Sequence, residues 1–443
     1  MERLTIRGPA PPLAGRLRVP GDKSITHRAI LLGALADGTT EIRGYLAGED
    51  CRRTAAACRA LGVEVEGWGG PVLRVHGKGL HGLREAEGVL DAGNSGTTLR
   101  LLSGILAAQP FLSILTGDAS LCQRPMGRII GPLRQMGASI WGRAGDQYPP
   151  LAIRGGPLRG VRHESPVSSA QVKSALLLAG LYAEGPTTVV EPAPSRDHTE
   201  RLLRGFGHPV EGTGRTATVA PARSLTAVPV EVPGDFSSAA FFLVAACLVP
   251  GSRVTLAGVG LNPTRTGLLD ALQTMGATVE VVGRREVCGE PVGDLVVTAA
   301  PLRGASVGGP LIPRLIDEIP ILAVAAACAE GETEIRDAGE LRVKESDRIA
   351  ALAAELGRLG VDVVERPDGL TIRGGRPLAG ASCSSRGDHR IAMALAVAAL
   401  VARGETRIAD SACIGTSFPD FVPLLRTVAP VADARLETGD RDG

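Results

Sequence analysis

The chain has 443 residues, enough for two or more domains with complete cores. Hydrophobic residues make up 44% and charged residues 21%, as in a globular protein, and the net charge of +1 provides no general field for nucleic acid or an anionic membrane. A basic site must therefore be a local cluster, and neither a nucleic-acid nor a membrane partner is expected. The longest apolar run, near Ile391–Ala402, falls short of the roughly 18 residues a membrane span needs. The opening MERLTIRGPAPPLAGR lacks the apolar core of a signal peptide, which predicts a cytoplasmic protein. Eight cysteines form no CxxC pair and seven histidines no H-x-x-x-H, so no metal site is expected.

In chain order, the first element is VPGDKSITHRAILLGALADGTTEIRG (19–44). It predicts an apolar helix stopped by Asp37-Gly38 and followed by a strand. Its first turn carries Lys23, His27 and Arg28, although a helix N-terminus repels cations and favours anions. The same layout returns in LDAGNSGTTLRLLSGILAAQPFLSILTGD (90–118) and SPVSSAQVKSALLLAGLYAEGPTTVVEP (165–192). It returns again in VPGDFSSAAFFLVAACLVPGSRVTLAGV (232–259), LIDEIPILAVAAACAEGETEIRDAG (315–339) and SSRGDHRIAMALAVAALVARGETRIAD (384–410). Each has a polar head, an almost wholly apolar helix, and a Gly-containing turn into a strand. A second recurring element, CRALGVEVE, LRQMGASIW, LQTMGATVE and LGRLGVDVVE, reads as a helix end, a glycine cap and a strand.

The repeat is roughly 70 residues, longer than common solenoid repeats, and reads as a compact β-α-β-α-β-β unit used six times. A helix apolar all round is buried all round. The expected architecture is α/β, with two clusters of three buried helices, each wrapped by sheets. The second VPGD places a two-stranded hinge near Pro20 and Pro233, with one domain at 20–231 and the other combining 1–19 with 232–443. The tail VADARLETGDRDG reads as a frayed polar end.

Helices buried on their sides can offer polar groups only at their ends. The heads carry Lys23, Ser24 and Arg28; Asn94-Ser95-Gly96-Thr97 and Arg100; Ser169 and Gln171; Asp235; Asp317-Glu318; and Asp388-His389-Arg390. Converging heads would pool N–H groups, dipoles and cations into an anion cradle, which accounts for Lys23 and Arg28. ASLCQRPMGRIIGPL adds Arg124 and Arg128, and ELRVKESDRIAAL adds Lys344, Glu345 and Arg348, with Lys344 and Arg348 on one helical face by i,i+4 spacing. Arginine suits bidentate recognition of phosphate and carboxylate. Asp317 and Glu345, acids among cations, are candidates for proton transfer. Asp22 and Asp235 read as N-caps before catalysts, and Lys344–Arg348 alone would read as a solvated face.

Together GDKSITHR, AGNSGTTLR, RPMGRI, SSAQVKSALL, LIDEIPILAVAAA, RVKESDRI and GDHRIAMAL resemble the 5-enolpyruvylshikimate-3-phosphate synthase family, from Ile6 to Leu425. The resemblance implies a two-domain inside-out α/β barrel with three repeats per domain. It also implies a reaction: phosphoenolpyruvate and shikimate 3-phosphate give 5-enolpyruvylshikimate 3-phosphate and phosphate, without metal or cofactor, in a monomer. By the family's motifs, Lys23, Ser24, Arg28, Ser169, Gln171, Ser195, Asp317 and Lys344 hold shikimate 3-phosphate. Lys23, Gly96, Arg124, Gln171, Arg348 and Arg390 hold phosphoenolpyruvate. Asp317 takes the 5-hydroxyl proton and Glu345 protonates the methylene, with Lys23 assisting. Thr416, His198, Glu340 and Ala170 depart from the best-known bacterial pattern and resemble a variant branch in which Arg196 contacts the substrate phosphate. Gly96 keeps a small residue where glyphosate would sit.

The nearest alternative is the sister transferase acting on UDP-N-acetylglucosamine, which has Lys-Asn where this chain has Lys23-Ser24 and uses a loop cysteine; Cys122 lies in a different context. RNA 3′-phosphate cyclases share related repeats but need adenylation features absent here. A DNA-encircling clamp would need a basic inner surface. A non-catalytic phospholigand binder would gain nothing from Asp317 and Glu345.

Overall fold

A computed structural model describes residues 2–429 and the backbone of 435–438. Two compact units divide the chain. The inserted unit comprises Gly21–Pro233 with Glu286–Glu290, and the terminal unit comprises Met1–Pro20, Gly234–Arg285 and Pro291–Gly443.

The inserted unit is built on three buried helices, Lys23–Leu35, Gly96–Leu106 and Ala170–Gly180. The terminal unit repeats the plan with Phe236–Leu248, Ile319–Cys328 and His389–Ala399. All of His389–Ala399 is buried, as the apolar run Ile391–Ala399 demands. The second and third helices touch backbone to backbone at Gly104, where a Cβ would sit 2.1 Å from Ala175 O.

Among the described residues, six four-stranded sheets surround these helices. In one of them, Leu90–Asp91 runs parallel to Leu112–Thr116, which pairs antiparallel with Tyr148–Arg154, and that strand with Ser139–Gly142. Between them come the buried helix Gly96–Leu106 and the outer helix Gly127–Gln135. This is the β-α-β-α-β-β unit of the sequence. The glycine after each outer helix of the second recurring element, Gly62, Gly137, Gly276 and Gly360, has φ between 86° and 106°, a conformation that costs glycine little.

Segments at the ends of each unit complete its sheets. Val230–Glu231 joins Thr39–Arg43 in the inserted unit. In the terminal unit, Ala14–Leu17 pairs with Arg253–Gly260, and Glu2–Gly8 enters the sheet of Gly404–Ala409. The tail differs from the sequence reading in one stretch. Residues 435–438 form a strand against Glu2–Thr5, because that strand edge has backbone groups to satisfy. The rest of the tail lies outside the described residues. No helix among the described residues is long and apolar enough to cross a membrane.

Candidate functional site

Five of the six buried helices begin with a side-chain cap. Asp22 accepts from Ile25 N at 2.9 Å, Ser95 from Thr98 N at 3.1 Å and Ser169 from Val172 N at 3.5 Å. Asp235 accepts from Ser237 N at 2.8 Å and Asp388 from Arg390 N at 2.9 Å. These caps satisfy donors that the first turn leaves open, so Asp22 and Asp235 have the structural role the sequence suggested.

In the inserted unit, Lys23 Nζ lies 3.0 Å from Asp50 Oδ2, an acid on the outer helix Glu49–Ala60. Arg28 is buried; its Nε donates to Thr199 Oγ1 at 2.6 Å, Nη1 to Ser24 O at 2.9 Å and Nη2 to Ser174 Oγ at 2.7 Å. Hydroxyl and carbonyl acceptors on three sides fix the orientation of the guanidinium. His27, fully buried beside it, has its pKa well below the ordinary value, first because of burial and then because of Lys23 and Arg28.

A second group in this unit gathers around Gly96. Arg124 Nη2 donates to Asn94 Oδ1 at 2.6 Å, Arg100 Nη1 to Gln171 Oε1 at 2.5 Å, and Gln171 Nε2 to Thr97 Oγ1 at 3.0 Å. A Cβ on Gly96 would lie 2.8 Å from Arg100 Nη1 and 3.5 Å from Arg124 Nη1. The missing side chain thus leaves room for two guanidinium groups. Ser169 and Ser195 share one carboxylate: Ser169 N donates to Glu191 Oε1 at 2.8 Å and Ser195 Oγ to Glu191 Oε2 at 2.7 Å. Arg196, half-buried, follows in the same loop.

In the terminal unit, Asp317 is surrounded by cations. Its Oδ1 lies 3.7 Å from Lys344 Nζ and 3.4 Å from Arg348 Nη1, and its Oδ2 lies 4.0 Å from Arg390 Nη2. Arg390 Nη1 also donates to Asp317 O at 3.0 Å. Glu345 Oε2 accepts from Arg348 Nη2 at 2.7 Å. Arg348 is wholly buried and serves three carboxylates, those of Asp388, Glu345 and Asp317. Burial disfavours the charge on the Asp388 carboxyl, yet the Arg348 guanidinium outweighs it and holds the pKa below the ordinary value.

One expectation is corrected. Lys344 and Arg348 do not share a helix: Asp347 accepts from Ala350 N at 3.1 Å and starts the helix at Arg348. A cap within ESDR outweighs the i,i+4 periodicity, and Lys344 reaches Asp317 from the preceding segment instead. Sequence reasoning also gave no role to Asp50, Lys173 or Glu191. Lys173 did leave a signal, as a lysine inside the apolar run QVKSALLLAGL. Asp50 and Glu191 left none, because acids at a helix start and a strand end are commonplace.

Six such units around buried helices, with cations and caps at the helix heads, define the inside-out α/β class with ends suited to anionic ligands. Comparison with known proteins makes this specific. Residues 8–425 match the family model for EPSP synthase (3-phosphoshikimate 1-carboxyvinyltransferase). A 3-phosphoshikimate 1-carboxyvinyltransferase from Desulforudis audaxviator is 58% identical over 420 residues, covering 95% of this chain and 98% of that protein. One from Gloeobacter violaceus is 59% identical over 421 residues, with the same coverage. The solved structure of EPSP synthase from Acinetobacter baumannii superposes with a TM-score of 0.87 at 44% identity, covering 99% of this chain and 100% of that one. The chain belongs to the EPSP synthase family.

Proposed function

We propose that the clusters just described carry out the family's reaction, with Asp317 as base, Glu345 as acid and Lys23 assisting. The chain is an enzyme of the shikimate pathway. It transfers the enolpyruvyl group of phosphoenolpyruvate to the 5-hydroxyl of shikimate 3-phosphate and releases phosphate. In the addition step the 5-hydroxyl oxygen bonds to C2 of phosphoenolpyruvate as its proton leaves and another proton arrives at C3. In the elimination step a proton leaves C3 and the C2–O bond to phosphate breaks. Each step therefore needs a proton donor and a proton acceptor, and a carboxylate-rich cluster provides both.

The single observation that carries this reading is the setting of Asp317, with Lys344, Arg348 and Arg390 all within 4.0 Å. Substrate phosphate and carboxylate groups are drawn to the same cations, which brings the reacting hydroxyl to the Asp317 carboxylate. Glu345 shares the Arg348 guanidinium with Asp317 and Asp388, which sets a second carboxylate beside the proposed base. Fixed cations then stabilise the departing phosphate.

For binding, the reading assigns shikimate 3-phosphate to Lys23, Ser24, Arg28, Ser169, Gln171, Ser195, Arg196, Asp317 and Lys344. Phosphoenolpyruvate falls to Lys23, Gly96, Arg124, Gln171, Arg348 and Arg390. Arg28 and the joined Gly96–Arg100–Arg124–Gln171 group support both assignments, since each keeps guanidinium charge beside helix N-termini. Substrates this highly charged do not cross membranes unaided, which supports action in the cytoplasm. We place the enzyme there as a monomer, which light scattering tests.

The decisive experiment measures phosphate release with both substrates, with either one alone, and with Asp317→Ala. Release should require both substrates and fall by about 10²–10⁴-fold in the variant. Unchanged release in Asp317→Ala would remove Asp317 as the base. Binding of both substrates without release would favour a phospholigand-binding protein.

A further inference from the structure

Beneath Ser169 and Ser195 lies a buried charge cluster that the reaction above does not use. Lys173, 3% exposed, lies in the first turn and a half of its apolar helix. Its Nζ lies 3.0 Å from Glu191 Oε2 and 2.8 Å from Glu200 Oε1, and it donates to Ser195 O at 3.3 Å. Burial opposes the charge on Lys173, but Glu200 and Glu191 outweigh it and raise the pKa, so the lysine stays protonated. A core that merely needed filling would do as well or better with apolar side chains.

What apolar side chains could not do is tie two segments together. Glu191, 1% exposed, takes the Ser169 N–H on one oxygen and the Ser195 hydroxyl proton on the other. A neighbouring tie runs parallel: Ser168 Oγ donates to Ala193 O at 2.7 Å and accepts from Ala193 N at 3.0 Å. The start of the helix Ala170–Gly180 and the loop that follows Val190 are thereby fixed to each other.

We propose that Glu191, paired with Lys173, is a positioning residue for shikimate 3-phosphate, holding Ser169 and Ser195 in register and turning the Ser195 hydroxyl proton inward. This inference rests on the shikimate 3-phosphate assignment of that site. A hydroxyl has one proton. With that proton donated to Glu191 in a hydrogen bond, Ser195 Oγ offers lone pairs to the ligand, which suit a ring hydroxyl of the substrate and repel a phosphate oxygen. The phosphate is left to Arg28, Arg196 and backbone N–H groups.

The test is calorimetric titration of the full chain with shikimate 3-phosphate alone, together with steady-state kinetics, for Glu191→Gln, Ser195→Ala, their double variant and Arg28→Ala. The carboxamide keeps one acceptor oxygen, which the Ser169 N–H, a donor only, must take, so the Ser195 hydroxyl loses its acceptor. Glu191→Gln should weaken shikimate 3-phosphate binding about tenfold, a positioning-sized loss of one hydrogen bond. Its kcat and its KM for phosphoenolpyruvate should stay within about twofold of the parent. The double variant should lose much less than the product of the two single losses, since both cut one tie. Unchanged binding in folded Glu191→Gln, or fully multiplicative losses, would overturn the proposal. If Glu191→Gln does not fold, Ser195→Ala cuts the same tie from its other end, and unchanged binding there overturns the proposal equally. Arg28→Ala separates the two levels. Weakening by Arg28→Ala with no effect at Glu191 or Ser195 removes the positioning role alone, whereas no effect at any of the three removes the site assignment itself.

Discussion

Arg348 and Asp388 form an ion pair from which water is excluded: Nε lies 2.8 Å from Oδ2, and the side chains are 1% and 0% exposed. Asp388 also caps the helix His389–Ala399 through Arg390 N. One carboxylate thus ties a helix start to the guanidinium that Glu345 and Asp317 share. Replacing it by asparagine keeps the cap but leaves a buried cation short of a partner. Asp388→Asn should lower stability by about 3 kcal/mol, read by denaturant unfolding.

That pair also sets an acid limit. The Asp388 pKa is lower folded than unfolded, so its contribution is complete above the unfolded value near 4 and is lost as pH falls through the folded value. Wild-type unfolding free energy should therefore drop more steeply below about pH 4 than that of Asp388→Asn. Parallel slopes would show that the pair adds nothing to acid stability.

His27 acts at a milder pH. Its folded pKa lies well below its unfolded value near 6.5, so between the two the unfolded chain binds a proton that the folded chain refuses. Stability should be level above about pH 6.5 and fall below it by up to about 1.4 kcal/mol per pH unit. Calorimetric scans from pH 7 to 5 on wild type and His27→Gln test this; the variant should show the shallower slope.

At Gly96 an added methyl would meet Arg100 Nη1 at 2.8 Å. That guanidinium can move, but Gln171 is bonded to it and must move too. Gly96→Ala should raise the KM for phosphoenolpyruvate about tenfold while stability holds or gains up to about 1 kcal/mol from the helix-favouring alanine. Kinetics and thermal unfolding on one preparation read both effects.

Thiol reactivity should be uneven. Burial pushes the pKa values of Cys58, Cys247 and Cys328 up to about 12, whereas Cys288 is exposed. Since the thiolate is the nucleophile, iodoacetamide at pH 8 should modify Cys288 well before those three. Peptide mass mapping over a time course gives the order.

The recurrence of polar heads on apolar helices was legible at once, because a helix with no polar side must be buried on every side and can expose only its ends. The same pattern carried the six-unit architecture and, through GDKSITHR, RVKESDRI and GDHRIAMAL, the family. The cap roles of Asp22 and Asp235 were equally local, since a cap and its N–H are two or three residues apart.

Partnerships across long stretches of chain were decided elsewhere. Arg348 meets Asp388 across 40 residues, and Arg28 meets Ser174 across 146. Nothing in spacing announces that Glu191 serves both Ser169 and Ser195, or that Lys344 reaches Asp317 from outside the helix it was expected to share. Periodicity and capping are short-range consequences of backbone geometry, so the sequence by itself determined the repeating unit, the buried helices and the reaction class. Which carboxylate neutralises which cation depends on where separate helices come to rest, and only tertiary packing decided that.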